Sequence, residues 1–197
     1  MLENFNGQTF CFLGRSGAGK DAMVALLHRL LEDRGLKVIN IGTGDEGRRL
    51  VEKNTVVGRM INGIFQRGET YPDYLAIALW LSVMKEILMG DEVVLMASSP
   101  RHQREAEAID EIMAGGGRST PIPIFIDVSE EEARRRLLKR GRADDNLNNI
   151  NKRLGWFDSQ IMPIVRWYGD RIVRVDGHGP KAEVFQRFLK LLENDQS

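Results

Sequence analysis

Residues 14–23 read GRSGAGKDAM and follow directly on the apolar run QTFCFL at 8–13. The spacing G-x-x-x-x-G-K, from Gly14 to Lys20 with a third glycine at 17, is the one a phosphate-cradling loop requires. A strand delivers the chain, glycines permit a tight path, and backbone N–H groups converge on an anion at the positive end of the next helix. Lys20 can then reach β- and γ-phosphates as a mobile point charge. Gly14, Arg15, Ser16, Gly17, Ala18, Gly19 and Lys20 are therefore expected to hold a nucleoside triphosphate. A hydroxyl that ligates Mg²⁺ commonly follows the lysine, but here Asp21 and Ala22 do. The Asp21 carboxylate either meets phosphate through a metal or stabilises its own helix as a first-turn acid.

Outward from the loop, strand-like runs recur at 37–42, 91–97, 121–128 and 170–177. Between them lie helical patterns near 45–66, 72–89, 102–114, 129–140, 145–168 and 180–193. Strands alternating with helices predict an α/β fold with a five-stranded parallel sheet covered by helices on both faces. Ser129 with Glu132 three residues on reads as a capping box, Pro180 as a helix start, and Pro163 as an interruption or kink. With no repeat and no long linker, residues 1–197 are expected to form a single domain.

Composition narrows the function. The net charge is +0, which gives no bulk attraction to nucleic acid or an acidic membrane surface. Twenty of the 28 basic residues are arginine, whose planar fork suits phosphate oxygens. Cys11, the one cysteine, excludes an internal disulfide and a cysteine-based zinc cluster. His28, His102 and His178 are dispersed and read as ordinary surface or turn histidines. The N-terminus lacks the pattern of a secretory signal and no apolar run is long enough to span a bilayer, so a cytoplasmic protein is expected.

Further stretches follow in order: Thr43-Gly44-Asp45-Glu46-Gly47-Arg48, Ala97-Ser98-Ser99-Pro100-Arg101, the block 136–146 with Lys152, Arg153 and Leu154, MPIVRWYG, and DGHGPKAEVF. With the glycine loop, they resemble the adenylate kinases and the wider nucleoside monophosphate kinases. The resemblance covers almost the whole chain. It implies a three-layer P-loop kinase fold with a helical monophosphate-binding insertion, about 43–72, and a very short lid, about 140–144. It further implies that ATP is held by the glycine loop through Ala22, by Arg140 and by the backbone near Gly179. The monophosphate would lie against Thr43, Arg48, Glu69, Thr70, Tyr71, Ser98, Ser99, Pro100, Arg101, Glu105, Arg142 and Arg153. Lys20, Arg101, Arg142 and Arg153 would serve catalysis, with Mg²⁺ accompanying ATP and the protein acting as a monomer.

The chain departs from that pattern at three places. Only Gly141 separates Arg140 from Arg142, which shortens the lid. Ala97 replaces an acid that would support Mg²⁺, leaving Asp21, or Asp144 and Asp145, as compensation. Glu105 stands where AMP-using relatives carry glutamine, and an ionised carboxylate accepts hydrogen bonds but cannot donate them. The expected reaction is reversible γ-phosphoryl transfer from ATP to AMP. CMP, UMP or GMP as acceptor, and a catalytically weak adenine-nucleotide-binding protein, are the alternatives. A P-loop GTPase is disfavoured by the missing N-K-x-D motif.

Overall fold

The structure is a computed structural model that describes residues 5–97, 99–141 and 146–194. Strands β1 (Thr9–Leu13), β2 (Val38–Ile41), β3 (Val93–Met96), β4 (Ile122–Asp127) and β5 (Val173–Asp176) form one sheet. Their order is β2-β3-β1-β4-β5, and every pairing is parallel. All of β1 is buried, as a central strand covered on both faces must be. Its alternation divides the core. Phe10 and Phe12 pack with Leu27, Leu31, Leu137 and Phe188 on one face. Cys11 packs with Trp80, Met96 and Ile109 on the other, and Leu13 with Phe125, Phe157 and Ile164.

The first face is covered by α1 (Lys20–Glu32), α6 (Glu130–Arg140) and α9 (Lys181–Asn194). The opposite face is covered by α4 (Asp73–Ile87), α5 (Gln103–Gly115) and α8 (Met162–Tyr168). Between β2 and α4 stand α2 (Thr43–Glu52) and α3 (Val56–Arg67), where Ile61 and Ile64 of α3 pack a small core with Tyr71 and with Leu75 and Leu79 of α4. Among the described residues no helix is long and apolar enough to cross a membrane.

Two helical runs are more divided than the sequence pattern predicts. The run 45–66 breaks because Asn54 adopts a left-handed conformation and the Thr55 hydroxyl caps α3, accepting from Gly58 N–H at 3.1 Å. The run 145–168 consists of α7 (Leu147–Trp156), a π-helical turn (Phe157–Ile161) and α8. The wider turn makes room for Pro163, whose ring would collide with the carbonyl four residues back in a continuous α-helix.

The capping box at Ser129 is realised by half. Ser129 Oγ accepts from Glu132 N–H at 3.2 Å, but Ser129 N–H donates to His178 Nε2. The Glu132 carboxylate turns instead to Arg135 and Arg136, which hold it down to about 2.

Candidate active site

The glycine loop lies at the carboxyl end of β1, the central strand, where open α/β sheets gather their ligands. Two of its glycines are required by space. A Cβ on Gly14 would stand 2.5 Å from Ile126 O, and one on Gly17 would stand 2.6 Å from Ala133 O. The loop is thereby pressed against β4 and α6. Lys20 begins α1, and its Nζ donates to Gly14 O and Arg15 O, each at 3.0 Å. Burial lowers the Lys20 ammonium from 10.5 to about 8, with Arg101 and Arg140 pushing the same way and Asp21 opposing.

That value carries a pH prediction. The unfolded chain holds this proton to 10.5 and the folded one only to about 8, so Lys20 adds stability as pH rises between the two. Triphosphate binding has the opposite sign, because it needs the charge. ATP affinity should fall above about pH 8, and calorimetry in buffers of different ionisation enthalpy at about pH 9 should register proton uptake. Lys20→Arg, charged throughout, should abolish that uptake. Absence of uptake in the wild type would refute the assignment.

Several cations converge near Lys20. Arg140 ends α6, and Arg101 follows β3 and the cis Ser99–Pro100 bond. The Arg101 guanidinium is driven below its ordinary value first by burial and then by Arg153 on α7, while Glu105, Tyr71 and Asp21 oppose the shift. Lys20 thus lies in the field of Arg101 and Arg140, and Arg101 in that of Arg153. Arg48, on α2, pairs with Asp45. Thr43 is buried at the start of α2, and Ser99 and Pro100 are buried beside Arg101. Ser98 and Arg142, together with Asp144 and Asp145, lie outside the described residues.

Glu105 is fully buried in the first turn of α5. Its Oε2 accepts from Arg101 N–H at 2.7 Å, and its Oε1 has no hydrogen-bond partner. Burial pushes the carboxyl up against the pull of Ser99 and of Arg101. One oxygen is therefore committed to the loop that carries Arg101, and the other stands buried and unpaired. On the stretch before α4, Glu69 pairs with Arg67 at 2.9 Å, Thr70 Oγ1 accepts from Gln160 Nε2 at 3.1 Å, and Tyr71 is buried. An open cleft of about 690 Å³ lies between this stretch and α7, lined by Arg67, Thr70, Asn149, Lys152 and Trp156 among others.

Some contacts were not legible in the sequence. Arg136 clamps three elements: Nη1 donates to Ala18 O at 3.1 Å, Nη2 to Gly177 O at 2.8 Å, and Nε to Glu132 Oε1 at 2.6 Å. The one hint is its four-residue spacing from both Glu132 and Arg140. Arg15 lies over the Phe157 ring, 3.6 Å from its centroid. His102 stands in the turn before α5, at the N-cap position without a side-chain cap bond, and its Nδ1 lies 2.5 Å from Asp73 Oδ1. Gly179 sits in the turn before α9, where Arg187 Nη2 donates to His178 O at 2.6 Å.

For a metal, the donor set is thin. Among the described residues no group of three His, Cys, Asp or Glu side chains could hold an ion. Ala97 packs against the core at the end of β3, and Asp21 is the one carboxylate within residues 14–22. That set suits an ion bound chiefly through substrate phosphates with a single carboxylate alongside, a common arrangement for Mg²⁺.

The family model described as adenylate kinase matches residues 12–173. The adenylate kinase of Thermus thermophilus is 35% identical over 192 residues, covering 94% of this chain and 97% of that protein. That of Phocaeicola vulgatus is 31% identical over 186 residues, covering 91% and 95%, and that of Corynebacterium glutamicum 29% over 180 residues, covering 91% and 96%. A parallel sheet in the order 2-3-1-4-5, a phosphate loop after its central strand and matches over nearly the full length give one reading: the chain belongs to the adenylate kinase family and is an ATP-dependent nucleoside monophosphate kinase.

Proposed function

We propose that the protein transfers the γ-phosphoryl group of ATP reversibly to AMP, giving two ADP. The observation that carries this reading is the burial of Lys20 and Arg101, which lowers the affinity of both for protons, with Arg101 and Arg140 adding to the effect at Lys20 and Arg153 at Arg101. Such a cluster is costly unless it faces dense negative charge, and two nucleotides meeting through their phosphates supply that charge. In the transfer, the bond from the γ-phosphorus to the β–γ bridging oxygen breaks as one forms to an oxygen of the acceptor phosphate. That nucleophile is already ionised near neutral pH, so no general base is needed, and the protein's task is positioning and charge stabilisation.

In this reading Gly14–Ala22 and Arg140 hold the triphosphate, with the Gly179 backbone at its base. Thr43, Arg48, Glu69–Tyr71, Ser98–Arg101 and Glu105 hold the acceptor, while Arg101, Arg142 and Arg153 bridge the group in flight. Mg²⁺, when bound with ATP, neutralises phosphate charge, with Asp21 the carboxylate nearest to hand in the sequence.

The test is an acceptor panel. AMP, dAMP, CMP, UMP and GMP are supplied separately with ATP and Mg²⁺, and ADP release is followed for each. AMP should be the best acceptor, its exocyclic amine donating to Glu105. Glu105→Gln should keep or improve AMP use, because the amide oxygen can take over the Arg101 N–H while the amide nitrogen donates to the ring. A tenfold or greater preference for GMP or CMP would overturn AMP as the substrate, and ADP release that no acceptor raises would overturn the transfer itself.

A further inference from the structure

The acceptor side of the cleft holds a buried polar atom that the fold itself does not use. Tyr71 is 4% exposed, yet its hydroxyl has no hydrogen-bond partner. A buried hydroxyl left in that state is unfavourable, and each such group in a folded protein asks for an explanation. The phenol is held by packing alone: its ring stands 5.8 Å from that of Phe65, within the small core of the inserted helices.

Its position is set by a glycine. A Cβ placed on Gly47 would lie 2.0 Å from Tyr71 Oη, 3.1 Å from its Cζ and 3.2 Å from Phe65 Cζ. Gly47 is a buried residue inside α2, where glycine weakens a helix, and the space it leaves is the space the hydroxyl occupies. The next residue along α2 is Arg48. The hydroxyl is thus set against α2, within the electrostatic reach of Arg101 and of Arg48. Burial pushes the phenol up to about 12 even though Arg101 and Arg48 pull it down, so it remains an O–H donor throughout the neutral range.

An unpaired donor in the field of two arginines has a natural complement, a small polyanion that the arginines grip and to which the hydroxyl donates. We infer that the Tyr71 hydroxyl, seated over Gly47, donates a hydrogen bond to the phosphate of the acceptor nucleotide and fixes its orientation between Arg48 and Arg101. The inference rests on the monophosphate-kinase reading above. It assigns the side chain of Tyr71 to the phosphate, leaving the base to Glu105. A hydroxyl would add direction where the two guanidiniums supply mostly charge.

Tyr71→Phe removes the donor and little else. Its KM for the acceptor should rise about tenfold, the scale of one hydrogen bond to a charged group, with KM for ATP unchanged and kcat affected far less. Because the hydroxyl has no partner in the fold, thermal stability should hold or improve, which separates this role from a structural one. Binding is measured in parallel by calorimetry with AMP and with adenosine, or with whichever monophosphate and nucleoside the panel selects. The loss should fall on the monophosphate and leave the nucleoside alone.

Gly47→Ala supplies a second route, since the new methyl group must displace the hydroxyl. It should weaken acceptor binding by itself and add little in a Tyr71→Phe background. Wild-type protein that binds no monophosphate would defeat the functional reading. Wild type that binds while Tyr71→Phe binds equally well would defeat only this inference. An equal loss for nucleoside and monophosphate would move the hydroxyl to the sugar or base, and fully additive effects of the two substitutions would break the link to Gly47.

Discussion

Lys20→Ala should lower phosphoryl transfer by about 10²-fold or more while the protein remains folded, the scale expected when a preorganised contact to transition-state charge is lost. The two parts of this expectation have one physical source. Lys20 is a desolvated ammonium in the field of Arg101 and Arg140, and its depressed proton affinity reports that the fold is strained by its charge. Removing it takes away the electrostatic partner of the triphosphate and also relieves like-charge repulsion. Gly14 O and Arg15 O lose their Nζ donor, a cost set against that relief. Coupled ADP formation and thermal unfolding, measured on the same preparation, test both parts. Wild-type turnover in the variant would remove the glycine loop from catalysis, and a collapse in stability would make Lys20 a structural brace for that loop.

The frame of this molecule could be read from its sequence because local patterns fixed by geometry carry it. Buried parallel strands show as apolar runs, and a phosphate loop shows as glycines at set intervals, since Gly14 and Gly17 stand where any side chain would strike a carbonyl. The helix break at Asn54 and Thr55 was hidden because both residues are tolerated inside a helical pattern, and only the hydroxyl bond to Gly58 N–H shows the cap. The π-helical turn before Pro163 was hidden for the same reason: the sequence marks a disturbance without saying how the backbone absorbs it.

The site was legible by residue type and obscure in its pairings. Arg136 was visible only as a helix-face neighbour of Arg140, because its carbonyl acceptors at Ala18 and Gly177 come from remote loops. Glu105 was legible as an odd carboxylate where the resemblance leads one to expect a glutamine. Its bond to Arg101 N–H depends on a side-chain direction that spacing alone does not give, and so does the burial that follows from it. Tyr71 came into view through the resemblance as part of a stretch. The hydroxyl over Gly47 needed the fold to bring α2 against the chain before α4.

Arg101→Ala should depress kcat/KM by about 10²- to 10³-fold, and the decisive measurement is how that loss responds to a second change at Glu105. Arg101 stands between two demands. Toward the cleft it shares a field with Lys20 and Arg153, the arrangement expected of a group that stabilises a phosphoryl in transit. Toward the core it helps to compensate Glu105, whose carboxylate has one oxygen unpartnered and is raised by burial. Truncating Arg101 therefore removes catalysis and leaves a buried acid with less positive charge nearby, which costs stability whenever that acid is ionised. Glu105→Gln separates the two effects, since the neutral amide keeps an acceptor for Arg101 N–H and carries no charge to compensate. In the double variant the melting temperature should return close to that of Glu105→Gln alone, while kcat/KM stays as low as in Arg101→Ala. Arg153→Ala should lose turnover without a comparable thermal cost. If activity returned together with stability in the double variant, Arg101 would be a structural partner of Glu105, and the cationic cluster would lose the member that joins its two sides.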